Sequence, residues 1–123
     1  MNVLLDKKLN EIRDLFSGFS PPINLLKYSD ENNIEKYSSV EKMSVDLVVL
    51  ELDDNHKRQI SSLEELRKFN PDLRAILYTS LNNRKYRSSY LSKGFNFFIF
   101  RESELSLLKT VIKRVHHRKT LAN

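Results

Sequence analysis

The sequence predicts an α/β fold in three layers: a doubly wound, five-stranded parallel sheet with helices on both faces. Three observations predict it. Five short runs rich in branched and aromatic side chains recur along the chain. Amphipathic segments with helical spacing lie between them. Turn and cap residues punctuate the junctions. Parallel strands need crossover connections, which are right-handed, and this alternation supplies them.

Taken in order, Val3 to Leu5 form the first strand candidate, and Leu5, Leu9, Ile12 and Phe16 then recur at helical spacing. Ser17-Gly18 and Ser20-Pro21-Pro22 end that helix. Ile23 to Tyr28 make a second strand, and Ile34, Tyr37, Val40 and Met43 set a second helix over about Asn33 to Met43. Leu47 to Leu52 follow as the third strand. Ile60, Leu63 and Leu66 mark a third helix that Asn70-Pro71-Asp72 stops. Ala75 to Thr79 make the fourth strand, and a fourth helix over about Asn83 to Lys93 ends at Lys93-Gly94. Phe97 to Phe100 complete the strands. Leu105, Leu108, Ile112 and Val115 define the last helix, with Ser103 as its expected cap.

The 123 residues suit one domain, 1–119, with a short tail at 120–123. Only two glycines are present, which argues against a glycine-cradled phosphate site. The lack of Cys excludes disulfides, Cys-ligated zinc, iron–sulfur clusters and thiol catalysis. Three apolar residues before Asp6 are too few for a signal-peptide core, and no run approaches a membrane span, so a soluble cytoplasmic protein is expected.

Charge is polarised along the chain. Residues 1–72 carry 10 Lys/Arg against 14 Asp/Glu, and residues 73–123 carry 11 against 2, so a net +5 conceals an acidic half and a strongly basic one. A basic surface suits acidic proteins, nucleic acid or anionic lipid. His116 and His117 are adjacent on the last helix and point apart, which disfavours a shared metal.

In doubly wound sheets, chemistry gathers at the carboxyl ends of the strands. There stand Asp6-Lys7, Glu51-Leu52-Asp53-Asp54, Thr79-Ser80 and Arg101-Glu102. With Val45-Asp46-Leu47-Val48-Val49-Leu50-Glu51, Asn70-Pro71-Asp72 leading into Ala75 to Ser80, and Gly94 to Arg101, the chain resembles the receiver domain of two-component response regulators over nearly its whole length. The intervals Asp6–Glu51 (45), Glu51–Thr79 (28) and Thr79–Arg101 (22) suit that family's site. The resemblance implies a CheY-like, flavodoxin-like (βα)5 fold. It places Asp6-Lys7 at the acidic metal-binding pair, Glu51 at the phosphorylated aspartate, Thr79 at the switch hydroxyl, Phe98 at the switch aromatic and Arg101 at the invariant lysine.

The departures from that pattern point to an atypical receiver, a pseudo-receiver. Glu51 adds a methylene, which displaces its carboxylate by about 1 Å, and misplacement on that scale costs about a hundredfold in rate. Lys7 puts a cation where magnesium needs an oxygen ligand, so magnesium binding is expected to be absent or weak, with Asp6, Glu51 and the Asp53 carbonyl as the remaining oxygens. Arg101 replaces a compact ammonium by a planar fork. Glu102 replaces the usual proline, and with it the expectation of a cis peptide. Lys7 and Arg101 are expected to stand in for the cation and hold Glu51 in a fixed ion pair.

The expected function is therefore a phosphorylation-independent, non-enzymatic signalling module. Its resemblance implies a protein partner or homodimer contact through the fourth helix, fifth strand and fifth helix, with Arg84, Lys85, Tyr86, Arg87, Tyr90, Phe98 and Arg101 on that face. A nucleic-acid-binding or transcription-regulatory accessory, suggested by the basic half, is the alternative reading. A weakly active phosphoacceptor using Glu51 or Asp53 is another. No output domain follows the last helix in this sequence, and a stand-alone protein and a fragment remain equally open.

Overall fold

Apolar runs become strands wherever both faces of the chain can be covered. In the computed structural model, which describes residues 1–26, 37–52 and 56–122, these are β1 (Asn2–Leu5), β2 (Asn24–Leu26), β3 (Leu47–Leu50), β4 (Arg74–Thr79) and β5 (Phe97–Phe100). All pair in parallel in the order β2-β1-β3-β4-β5. The chain starts inside the sheet, steps to one edge, then crosses back to build towards the other. The reversal between β1 and β3 opens the crevice that such sheets use for chemistry. Register pairs Leu5 with Val49, Leu50 with Leu77 and Thr79 with Phe100, so Asp6, Glu51, Ser80 and Arg101 emerge at one end.

Side-chain alternation divides the interior into two cores. On one face Val3, Leu5, Leu47, Val49, Ile76, Tyr78 and Ile99 pack against Leu9, Ile12 and Phe16 and against Leu108, Val111 and Ile112. On the other, Leu4, Val48, Leu50, Ala75, Leu77 and Phe98 meet Leu63, Leu66 and Tyr90. Every residue of β3 is buried, as a strand covered on both faces requires.

The helices are α1 (Ser39–Ser44), α2 (His56–Phe69), α3 (Arg87–Ser92) and α4 (Leu105–Ala122). Lys7–Phe16 is helical as expected but in 3₁₀ form, with a non-helical break at Leu9. Another 3₁₀ segment, Leu81–Tyr86, precedes α3, so the single helix expected over about Asn83 to Lys93 is two pieces. Ser103 does not cap α4. The helix begins after Glu104, whose carbonyl accepts the Leu108 N–H at 3.1 Å and whose carboxylate accepts the Phe100 N–H at 3.1 Å.

The second helix also departs from its expected pattern. Ser38 and Glu41 form a capping box that fixes the start at Ser39. This phase turns Lys42 inward, 2.8 Å from Glu65 and 4.9 Å from the centre of the Phe69 ring. Val40 and Met43, expected to be core, are 76% and 60% exposed. The expected positions 27–28 and 33–36 lie outside the described residues.

Arg67 joins the far ends of several elements. From α2 it donates to the Gly94 carbonyl, to the Leu73 carbonyl at 3.1 Å and to Asn96 Oδ1 at 2.9 Å. Asn96 Oδ1 also accepts the Ala75 N–H at 2.8 Å, so this network fixes where β4 and β5 begin. Gly94 has φ +107°, and a Cβ there would lie 2.6 Å from Arg67 Nη1. His116 is buried, with a ring nitrogen 2.7 Å from the Pro21 carbonyl and the ring 4.8 Å from that of Phe19. Its surroundings make it a packing residue. Among the described residues, no helix is long and apolar enough to cross a membrane.

Candidate functional site

Asp6 leaves β1 with its side chain 3% exposed. Its Oδ1 accepts the Lys8 N–H at 3.1 Å, capping the 3₁₀ segment, and its Oδ2 accepts the Glu51 N–H at 3.0 Å. The Asp6 N–H donates to Val49 at 2.8 Å. One carboxylate thus ties the end of β1 to the end of β3.

Glu51 directs its carboxylate to Arg101 Nη2, which comes from the turn after β5. Arg101 Nη1 reaches Glu11 at 3.2 Å, and the guanidinium carbon lies 5.8 Å from the Tyr78 ring centre. The Arg101 backbone N–H continues the ladder to the Thr79 carbonyl at 2.9 Å. A planar fork can engage two carboxylates in this way, and a compact ammonium cannot match it. The Glu51 and Arg101 side chains are 20% and 28% exposed, so the pair is largely withdrawn from water. Burial raises the Glu51 carboxyl above its ordinary pKa of 4.5. The charge and hydrogen bond of Arg101 pull it back only in part, and Asp6 pushes it up again.

Thr79 is 1% exposed, and its hydroxyl accepts from Asn83 Nδ2 at 2.9 Å. The next two residues are held by Glu102, which accepts the Ser80 hydroxyl at 2.9 Å and the Leu81 N–H at 2.9 Å and 3.1 Å. These bonds hold its carboxyl below the ordinary range. Glu102 is therefore a staple between the loops after β4 and β5, a role that its departure from proline did not suggest. Glu102→Ala is expected to speed hydrogen exchange at the Leu81 and Asn82 amides while leaving β4 amides protected. Unchanged exchange at Leu81 would remove the staple from the account.

The structure brings Asp6, Glu51, Thr79 and Arg101 together at the carboxyl ends. Lys7 is exposed and lines a groove of about 380 Å³ with Asn10, Arg13 and Leu25, towards β2. The ion pair described for Glu51 runs to Arg101, and the lysine whose charge acts on it is Lys8 rather than Lys7. Asp53 lies outside the described residues.

On the expected contact face, Arg84, Lys85 and Arg87 are exposed, and Tyr86 is half-buried with Lys85 Nζ 5.2 Å from its ring centre. Tyr90 and Phe98 are each 2% exposed, with ring centres 6.2 Å apart. They support that face from beneath and offer it no surface.

No protein-family model matches this sequence, and no curated protein matches it. Solved structures do. A response regulator receiver domain protein from Clostridium thermocellum superposes with a TM-score of 0.70 over 99% of this chain and 98% of that one, at 17% identity. The fold is that of a response regulator receiver domain. A CheY-like protein, TadZ, from Pseudomonas aeruginosa matches with a TM-score of 0.66 over 93% of this chain and 97% of that one, at 15% identity. A protein described as one of a novel family of redox sensors in the streptococci, evolved from two-component response regulators, matches at 0.66 and 12% identity over 98% of this chain and 53% of that one. This chain spans about half of that streptococcal protein. On the receiver fold, Asp6, Glu51 and Arg101 occupy the crevice at the carboxyl ends of β1, β3 and β5.

Proposed function

We propose that this receiver-fold protein is a phosphorylation-independent signalling module, held in one state, that acts by binding a protein partner. The observation that carries the reading is the Arg101 guanidinium seated on the Glu51 carboxylate. A phosphoacceptor must present an oxygen in line with its donor, and Arg101, by holding Glu51 Oε1, sets the orientation of this carboxylate from within the chain. Magnesium, which the receiver resemblance implies, does not fit the groups present among the described residues. Each Asp6 oxygen already accepts a backbone N–H, Glu51 Oε1 is held by Arg101, and by the resemblance Lys7 stands where a second carboxylate belongs, which puts a cation in place of an oxygen ligand.

In this reading the Glu51 charge replaces a transient phosphoryl charge, Thr79 is kept by Asn83, and Glu102 fixes the loop between them. The streptococcal redox sensors support the idea that the fold can take other work. The absence of Cys here excludes thiol redox chemistry for this chain. Arg84, Lys85 and Arg87, with β5 and α4, offer the contact face for a protein partner or a second copy.

Backbone NMR during titration with magnesium and a phosphoryl mimic tests the proposal. No saturable shift is expected at Glu51, Thr79 or Arg101 up to millimolar ligand. Saturable shifts clustered on those three would overturn it.

A further inference from the structure

A basic groove runs along α4 beside the outer edge strand β5, with a volume of about 580 Å³. Its floor is apolar. Phe97 and Val115 are half-buried, Val111 is buried and Leu107 is 39% exposed. Its rim is cationic, with Arg74 from the start of β4 and Lys113, Arg114 and Arg118 from α4, all exposed. Among the described residues no acidic side chain pairs with any of these four cations. Two carboxylates lie in the adjoining hollow with Arg74 and Arg118: Asp46 is committed to Lys119 at 2.9 Å and to the Asn2 N–H at 2.7 Å, and Asp72 is exposed and forms no ion pair among the described residues, so four cations face one open carboxylate. Positive charge is therefore left facing solvent around an apolar trough.

From Leu107 to Arg118 the groove follows about 16 Å of helix, roughly three turns. We infer that it receives an acidic amphipathic helix of a protein partner, whose apolar residues fill the floor and whose carboxylates meet the rim. Two features favour this occupant over a nucleic acid. A phosphate backbone would leave the apolar floor uncovered, and the cations come from two elements flanking a trough rather than from a flat basic sheet. The inference rests on the reading of this protein as an interaction module and names its partner's chemistry. It does not depend on the fixed state of Glu51.

The probe is a synthetic helical peptide of about 15 residues, with Glu on one face and Leu and Phe on the other. Titrated into the full chain and followed by NMR, it is expected to give saturable shifts at Phe97, Leu107, Thr110 and Val111. The double variant Arg114→Glu/Arg118→Glu, both positions exposed, should weaken binding by at least about tenfold and steepen no other change. Leu107→Ser tests the floor independently and should weaken binding at high salt, where the rim is screened.

Shifts centred on Arg84 to Arg87, no saturation, or equal affinity for a peptide with the same composition in scrambled order would overturn the inference. So would stronger occupation of the same residues by mixed-sequence duplex DNA or by anionic vesicles, or shifts there on concentrating the protein alone. Failure of the signalling proposal is read elsewhere, in phosphoryl-mimic shifts at Glu51 and Thr79.

Discussion

Replacing Arg67 with methionine is expected to lower the free energy of unfolding by about 3 kcal/mol, because it takes a charged donor from several part-buried acceptors while keeping most of the stem. The Leu73 carbonyl, the Gly94 carbonyl and Asn96 Oδ1 all lose a charged donor at once. Asn96 Oδ1 keeps the Ala75 N–H, and each of the two carbonyls left without the Arg67 donor costs about 1–3 kcal/mol when water cannot reach it. Arg67 is only half-buried, which lets water recover part of that sum. Gly94→Ala attacks the same contact from the other side. Its Cβ would fall 2.6 Å from Arg67 Nη1, and φ +107° is unfavourable for any residue with a Cβ. Because both changes break one contact, the double variant should lose less than the two separate losses combined. Urea unfolding curves check this, and a loss below about 1 kcal/mol for Arg67→Met would show that the clamp contributes little.

Strand positions were legible because β1, β3, β4 and β5 are short apolar runs whose burial follows directly from composition. Correct strand ends then place Glu51 beside Arg101, since residues that follow parallel neighbours in register must emerge together. Spacing alone does not distinguish a 3₁₀ turn from an α turn over ten residues, so the form of Lys7–Phe16 was not legible. In α1, apolar period pointed to Val40 and Met43, but the Ser38/Glu41 capping box set a phase that buries Lys42. That box was visible as Ser-x-x-Glu, and it outweighed the period in a helix of six residues. Arg67, Asn96 and Glu102 escaped because each acts on backbone groups distant in sequence, which no local pattern encodes. Tyr90 and Phe98 were readable as aromatic and not as buried, because their exposure depends on how the 81–92 segment lies over β5.

Arg101→Met is expected to cost about 1–2 kcal/mol at neutral pH, and the cost should shrink as pH falls. Breaking a buried pair is more expensive than this, but both side chains here retain some contact with water, at 20% and 28% exposure. Without Arg101, the Glu51 carboxylate loses the largest influence that lowers its pKa, while burial and Asp6 still act to raise it. A folded-state pKa above the ordinary 4.5 means that the folded chain holds its proton longer than the unfolded one. This group therefore imposes no cost below the unfolded value. Stability falls as pH rises from there through the folded value, and above it the loss is complete. In Arg101→Met that falling window should extend to higher pH than in the wild type. Glu51→Gln should abolish this contribution, since the amide oxygen still accepts from Arg101 and carries no charge. In Arg101→Met/Glu51→Gln, most of the stability lost at neutral pH should return, because no buried charge remains to be compensated. Denaturant unfolding across about pH 4–8 reads all four proteins on one scale. If Arg101→Met keeps the wild-type pH profile, or if Glu51→Gln fails to rescue it, the ion pair does not hold Glu51 in place and the fixed-state reading of this receiver fold loses its support.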